Sequence, residues 1–444
     1  MKSGFSKLSK RKKLRWVAEN FFKNPEEVMS ELMSFWHEED KTQKVFDDFS
    51  ENTLSNYYLP FGVAPNFVIN GQSYCVPMVI EESSVVAAAS SGAKFWMERG
   101  GFKAKIIDTK KVGQVHFTWK GDGKKLNTFF PEIKQALIEG TKGITSNMER
   151  RGGGILDIGL MDMTHLEADY FQLKVDFETC DSMGANFINS VLEAFAKILQ
   201  HFVQTHPKFE GEERELTIIM AILSNYTPEC LVRAEVACPI EDLGTIGDCS
   251  ADLFAYKFEK AIRIAQLDVH RATTHNKGIL NGIDAVAIAT GNDFRAIESC
   301  GHTYAARDGQ YRSLSNVSTE DGTFRFWMDF PIAVGTVGGL TNLHPLARRS
   351  LEMLGNPGAR ELMQIIVVVG LAQNFAAVRS LVTTGIQQGH MKMHLSNILN
   401  HMQATEKEAK QALVYFKDKV VSFTSVREFL DTLRNKQGKV VLDE

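Results

Sequence analysis

The chain has 444 residues, 44% of them hydrophobic, which is enough to bury a substantial core over two or three domains and excludes a chain disordered throughout. Lys and Arg total 50 against 54 Asp and Glu, and the resulting net charge of −4 excludes any global attraction to nucleic acid. The six cysteines, Cys75, Cys180, Cys230, Cys238, Cys249 and Cys300, form no C-x-x-C pair and have no matching histidine spacing. That argues against a metal site and against a secreted disulfide framework, and for reduced, mostly buried thiols.

The N-terminus carries Lys2, Lys7, Lys10, Arg11, Lys12, Lys13 and Arg15 with no apolar stretch behind them, so it does not read as a signal peptide. Further on, polar Glu81-Glu82-Ser83-Ser84 interrupts two apolar runs. Ala104 to Trp119 is spaced as short strands, with Ile106, Ile107, Val115 and Phe117 as the apolar positions. Pro131 to Thr141 reads as a helix with proline at its start. Phe171, Leu173, Val175 and Phe177 alternate as a strand, and Phe187 to Phe202 has helical spacing. Strand, helix, strand, helix over about one hundred residues suits a small inserted domain.

Ile283 to Thr290, between Gly282 and Gly291, is expected to be a buried strand whose ends carry the loops of Lys277 and Asp293. Ile365 to Ala372 is the strongest apolar run, too short to cross a bilayer of roughly 30 Å. From Met391 onward, helical periodicity comes in three pieces, broken near Ala404 to Lys407 and Ser422 to Ser425. No G-x-G-x-x-G follows a strand, which argues against a Rossmann fold.

A lysine held near carboxylates stays cationic and can stabilise an oxyanion, while a buried glutamate can deliver a proton, a combination suited to carbonyl reduction. Each such residue by itself is also what a solvated loop carries. The strings around them are more specific: Glu81-Glu-Ser-Ser-Val-Val-Ala-Ala-Ala89, His275-Asn-Lys-Gly278, Gly291-Asn-Asp-Phe-Arg295 and Gly389-His-Met391.

Together with Asp181-Ser-Met-Gly-Ala-Asn186 and Arg151-Gly-Gly-Gly-Ile-Leu-Asp157, these strings resemble 3-hydroxy-3-methylglutaryl-CoA (HMG-CoA) reductases of the soluble, bacterial-type class II. Ser55, Ser83 and Ser182 depart from the residues usual there, Gly, Pro and Ala. The resemblance covers nearly the whole chain. It implies an α+β fold: a large mixed α/β substrate and CoA-binding domain over 1–108 and 220–378, an inserted small α+β nicotinamide-binding domain over 109–219, non-Rossmann, and a C-terminal helical lid over 379–444.

The implied catalytic set is Glu82, Lys277, Asp293 and His390. Lys277 stabilises the developing alkoxide, Asp293 holds Lys277 and Glu82 in one network, Glu82 donates a proton, and His390 protonates the departing thiolate. Ser84, Arg271, Asn281 and Gln373 are implied to contact the hydroxymethylglutaryl group, Arg271 by guanidinium–carboxylate pairing. Asp157, Asp181, Met183, Gly184 and Asn186 are implied at the nucleotide, with α-helical N–H groups facing its pyrophosphate. Asp157 favours NADH over NADPH by repelling a 2′-phosphate, and Arg150 and Arg151 argue the other way. Gly335-Thr-Val-Gly-Gly339 resembles a loop that approaches the substrate, and the basic N-terminus could meet coenzyme A phosphates. The expected reaction interconverts HMG-CoA with mevalonate and free coenzyme A, in a cytoplasmic homodimer or larger homo-oligomer with its active site at the subunit interface, away from membrane and nucleic acid. The alternatives are a CoA thioester hydrolase or transferase and a non-catalytic acyl-CoA-binding protein.

Overall fold

The computed structural model describes residues 4–383, 385, 395–416 and 419–440. Three short helices, α1 (Lys10–Phe21), α2 (Pro25–Ser34) and α3 (Asp40–Asp47), precede the antiparallel hairpin of β1 (Phe61–Ile69) and β2 (Gln72–Val79). The hairpin closes on Asn70-Gly71, both at positive φ, the backbone that a two-residue turn between right-twisted strands requires. Next come α4 (Val85–Met97), β3 (Lys103–Ile106), β4 (Lys111–Trp119), α5 (Gly123–Glu149), β5 (Gly154–Asp162), β6 (Tyr170–Glu178), α6 (Ala185–Thr205) and β7 (Leu216–Leu223). They lead into β8 (Leu231–Pro239), α7 (Ala251–Leu267), α8 (Val269–Ala289), α9 (Phe294–Ala305), β9 (Ser315–Ser318) and β10 (Thr323–Pro331). The described chain ends with α10 (Leu340–Leu343), α11 (Pro345–Met353), α12 (Ala359–Val382), a helical stretch over 395–401, α13 (Glu406–Tyr415) and α14 (Phe423–Val440).

Two four-stranded sheets, ordered β3-β8-β10-β9 and β5-β6-β4-β7, are antiparallel at every pairing, so the fold is α+β. In the second sheet β4 alternates strictly, sending Val115, Phe117 and Trp119 inward. With Phe171, Leu173, Val175 and Phe177 of β6 they meet the apolar stripes of α5 and α6, including Leu137, Val191, Leu192 and Phe195. The chain leaves this sheet only after Leu223, so the break expected at 219/220 falls inside β7. Helix α5 also begins eight residues before Pro131, at the Asp122 cap, whose side chain accepts from Lys124 N at 2.9 Å. Pro131 removes one ladder bond, to the Asn127 carbonyl, and burial of Leu126 in the preceding turn outweighs that loss.

The larger core gathers α4, α7, α8 and α12 around the first sheet, with Trp96, Phe254, Phe258, Phe324 and Phe375 as its aromatic centre. Ile283 to Thr290, expected as a strand, is the last two turns of α8 and its cap. Its alanines 285, 287 and 289 favour helix, and an apolar run buried on all sides has lost the alternation that separates strand from helix. Ile365 to Ala372 likewise belongs to a longer element. Helix α12 has 24 residues, and an 18-residue window of it has a mean hydropathy of 1.8, long and apolar enough to cross a membrane, yet 72% of that window is buried inside the fold. It runs four residues past the expected boundary at 378. A third, separate core joins Leu395, Ile398 and Leu399 to α13 and α14.

Candidate active site

Glu82 lies in the loop between β2 and α4, where Ser84 takes positive φ (75°) as the cap of α4. Lys277 stands on α8, in mid-helix rather than on a loop, and its Nζ donates to Glu82 Oε2 at 2.7 Å across 195 positions of sequence. Consecutive helical residues point about 100° apart, so the same turn that sends Lys277 outward drives His275 and Asn276 into the core. His275 Nε2 donates to Ser315 Oγ at 2.7 Å, and Ser315 Oγ donates to Asn374 of α12 at 2.8 Å. Burial pushes the His275 pKa down to about 3, so the ring is neutral. Asn276 bonds the Arg312 carbonyl at 2.8 Å and the Leu314 N–H at 3.0 Å. These contacts pin α8, and with it the root of Lys277.

Asp293 caps α9, accepting from the N–H groups of Arg295 (3.1 Å) and Ala296 (3.2 Å). Its carboxylate also takes the Arg295 guanidinium at 3.1 Å. The network expected to join it to Lys277 and Glu82 is therefore absent among the described residues: the local cap and the adjacent guanidinium occupy its oxygens. His390 lies outside the described residues. Arg271, one and a half turns before Lys277, is half-buried without a carboxylate or hydrogen-bond partner among the described residues, and burial pushes its pKa down. Asn281, one turn after Lys277, has no hydrogen bond there either. Gln373 of α12 packs against Gly282, where a Cβ would stand 2.9 Å from its own, and its Oε1 is buried without a partner. Arg271 and Asn281 on the helix of Lys277, and Gln373 packed against it at Gly282, thus leave a cation, an amide and a carbonyl oxygen without partners among the described residues, a donor and acceptor set suited to a ligand with carboxylate and hydroxyl groups.

At the expected nucleotide site, Asp181 is a strut between the two larger cores. Its Oδ1 accepts from Ala359 N at 2.7 Å and its carbonyl from Thr336 N at 2.9 Å. A Cβ on Gly335 would come within 2.6 Å of Met183 N, so the 335–339 loop meets the nucleotide loop. Gly184, at φ 95°, caps α6 without any side chain, and the first turn of this 21-residue helix holds no acidic residue. Its free N–H groups fit a pyrophosphate. Asn186 follows in that turn. Asp157 stands exposed on β5 and accepts from Lys134 Nζ at 2.6 Å, which holds its carboxyl below the usual range.

A model of the hydroxymethylglutaryl-coenzyme A reductases matches residues 10–395. The chain belongs to the HMG-CoA reductase family. The 3-hydroxy-3-methylglutaryl-coenzyme A reductase of Archaeoglobus fulgidus is 34% identical over 434 residues, 97% of this chain and 94% of that protein. A probable HMG-CoA reductase of Borreliella burgdorferi is 33% identical over 80% of this chain and 79% of its own length. The class II HMG-CoA reductase of Streptococcus pneumoniae, solved bound to NADPH in open conformations, superposes with a TM-score of 0.71 at 37% identity, over 86% of this chain and 99% of its own. The chain is thus an oxidoreductase of the HMG-CoA reductase type. Two residues at these sites escaped the reading of the sequence: Arg295, which holds Asp293, and Lys111, a lysine on the inward register of β4. The register itself was a signal, since a charge at a core-facing position calls for a partner.

Proposed function

We propose that Lys277 and Glu82 form the reacting centre of an enzyme that converts HMG-CoA through bound mevaldehyde to mevalonate and coenzyme A, or runs the reverse oxidation. The observation that carries this is their 2.7 Å hydrogen bond, made from the same helix that carries Arg271 and Asn281. Lys277 stabilises negative charge developing on the reacting carbonyl oxygen. Glu82, already sharing a hydrogen bond with that ammonium, delivers the proton at the aldehyde stage. Asp293, bonded to Arg295 at the α9 cap rather than to Lys277, is assigned as the acidic third residue from the family motif alone, and His390 protonates the leaving thiolate. Arg271 pairs with the substrate carboxylate, while Ser84, Asn281 and Gln373 bond its hydroxyl and carbonyl groups.

The nicotinamide nucleotide supplies two electrons at each of two stages. Asp157, Asp181, Met183, Gly184 and Asn186 hold it, with the pyrophosphate at the α6 N-terminus. Asp157 favours NADH by accepting from ribose hydroxyls. Lys134, bonded to Asp157, and the adjacent Arg150 and Arg151 supply the cations that the 2′-phosphate of NADPH needs, and the NADPH in the Streptococcus pneumoniae structure supports that second reading. We further propose a cytoplasmic homodimer, with the substrate domain of one subunit facing the nucleotide domain of the other and the C-terminal helices closing over the site.

The test follows nicotinamide absorbance and free thiol together, with HMG-CoA and either NADH or NADPH. Two nicotinamides oxidised per thiol support the proposal, and the faster nucleotide decides the role of Asp157. Thiol without oxidation would mean a hydrolase, and silence in both channels a binding protein. Lys277→Ala is expected to lower kcat by about 10²–10³ with the fold intact. Unchanged turnover would remove Lys277 from the chemistry.

A further inference from the structure

The first residue of β4 is an anomaly. Lys111 is 4% exposed, and no carboxylate lies within 4 Å of its Nζ among the described residues. The adjacent Lys110 points outward and pairs with Asp176 and Glu229. Glu178 bonds Thr109 and the Cys180 N–H and pairs with Arg360, and it feels the Lys111 charge through space without a direct bond to it. Lys111 donates only to neutral groups: Thr179 Oγ1 at 2.6 Å and the Ser182 carbonyl at 3.5 Å. Thr179 Oγ1 donates in turn to that same carbonyl at 2.6 Å, and its methyl group would stand 2.5 Å from a Cβ on Gly184.

A buried ammonium without a counter-charge is costly. Here it lies beneath a loop that ends in the uncapped, positive N-terminus of α6, and it lines a cavity with Met183, Ala185 and Ile188. Two positive centres without a directly bonded anion converge on one loop, an arrangement that an incoming doubly charged anion relieves. We propose that Lys111 is a positioning residue for the nucleotide: through Thr179 it locks the 179–184 loop, and its charge adds to the α6 N-terminus in attracting the pyrophosphate. This rests on the nucleotide site proposed above.

Lys111→Met keeps the aliphatic stem and removes the charge. The full-length protein is titrated calorimetrically with ADP-ribose, which carries the pyrophosphate, and with adenosine, which lacks it. ADP-ribose affinity is expected to fall about tenfold, adenosine affinity to hold, and Lys111→Arg to recover most of the loss. Unchanged ADP-ribose affinity, or equal losses for both ligands, would overturn the proposal. Should Lys111→Met not fold, Thr179→Val cuts the link to the Ser182 carbonyl, and unchanged ADP-ribose affinity there overturns it equally. Amide exchange on the unaltered protein separates the two levels of the argument. ADP-ribose protecting residues 181–188 supports the site, whereas protection elsewhere refutes the site and the role of Lys111 together.

Discussion

Asp284 lies two turns beyond Lys277 on α8, with Oδ1 buried and unpaired. Burial pushes its pKa up to about 8, and the like charge of Glu298 on α9 adds to the rise. The unfolded chain ionises this carboxyl near 3.8 while the fold keeps it protonated, so its contribution is fully present below that value and drains away as pH rises toward about 8. Asp284→Asn is expected to flatten the decline of Tm between about pH 5 and pH 8, raising Tm at the alkaline end relative to the parent. Parallel Tm profiles for the two proteins would show that Asp284 is ionised in the fold. At this scale the sequence was legible where a residue sits in a distinctive string, as Glu82 and Lys277 do. Their meeting was expected only from the family resemblance, because a contact across 195 positions is set by how α8 packs and by no local pattern. Nor was the grip of Arg295 on Asp293, which depends on cap geometry.

Among the elements, alternation was the dependable guide. Phe171 to Phe177 shows its inward face in the sequence and forms β6, and Phe187 to Phe202 shows its stripe and forms α6. Elements buried on every side carry no such contrast, which is why the end of α8 resembled a strand. The Asn70-Gly71 pair is a local hairpin signal that escaped the reading of the sequence. Helix α6 both caps the nucleotide loop and fills the smaller core through Leu192, which is fully buried and lies over Gly113 of β4. Leu192→Ala is expected to cost about 3 kcal/mol, the lost transfer energy of the side chain plus the cavity left over Gly113. Denaturant unfolding would measure it, and a loss below about 1 kcal/mol would mean that the core had repacked.

For the whole molecule, the separation of the three cores matters most. The C-terminal core contains Leu395, Phe416 and Leu430 but no residue of the other two. Removing residues 395–440 should therefore leave the main thermal transition and ADP-ribose binding in place while abolishing turnover. Loss of the main transition would show instead that these helices hold the rest together. Helix α12 has a consequence of another kind. Its packing partners α4, α7, α8, β3, β8 and β10 all precede it in the chain. During synthesis, at roughly 5–20 residues per second, they leave the ribosome earlier, by about a second or more for β10 and by about ten seconds or more for α4, and can assemble its groove in advance. A segment long and apolar enough to span a bilayer thus emerges after all of these partners, into a groove they have already formed. A circular permutant opened just before Ala359 would reverse that order, exposing α12 first and inviting mis-sorting to the bilayer or aggregation, though every native contact would remain available to it.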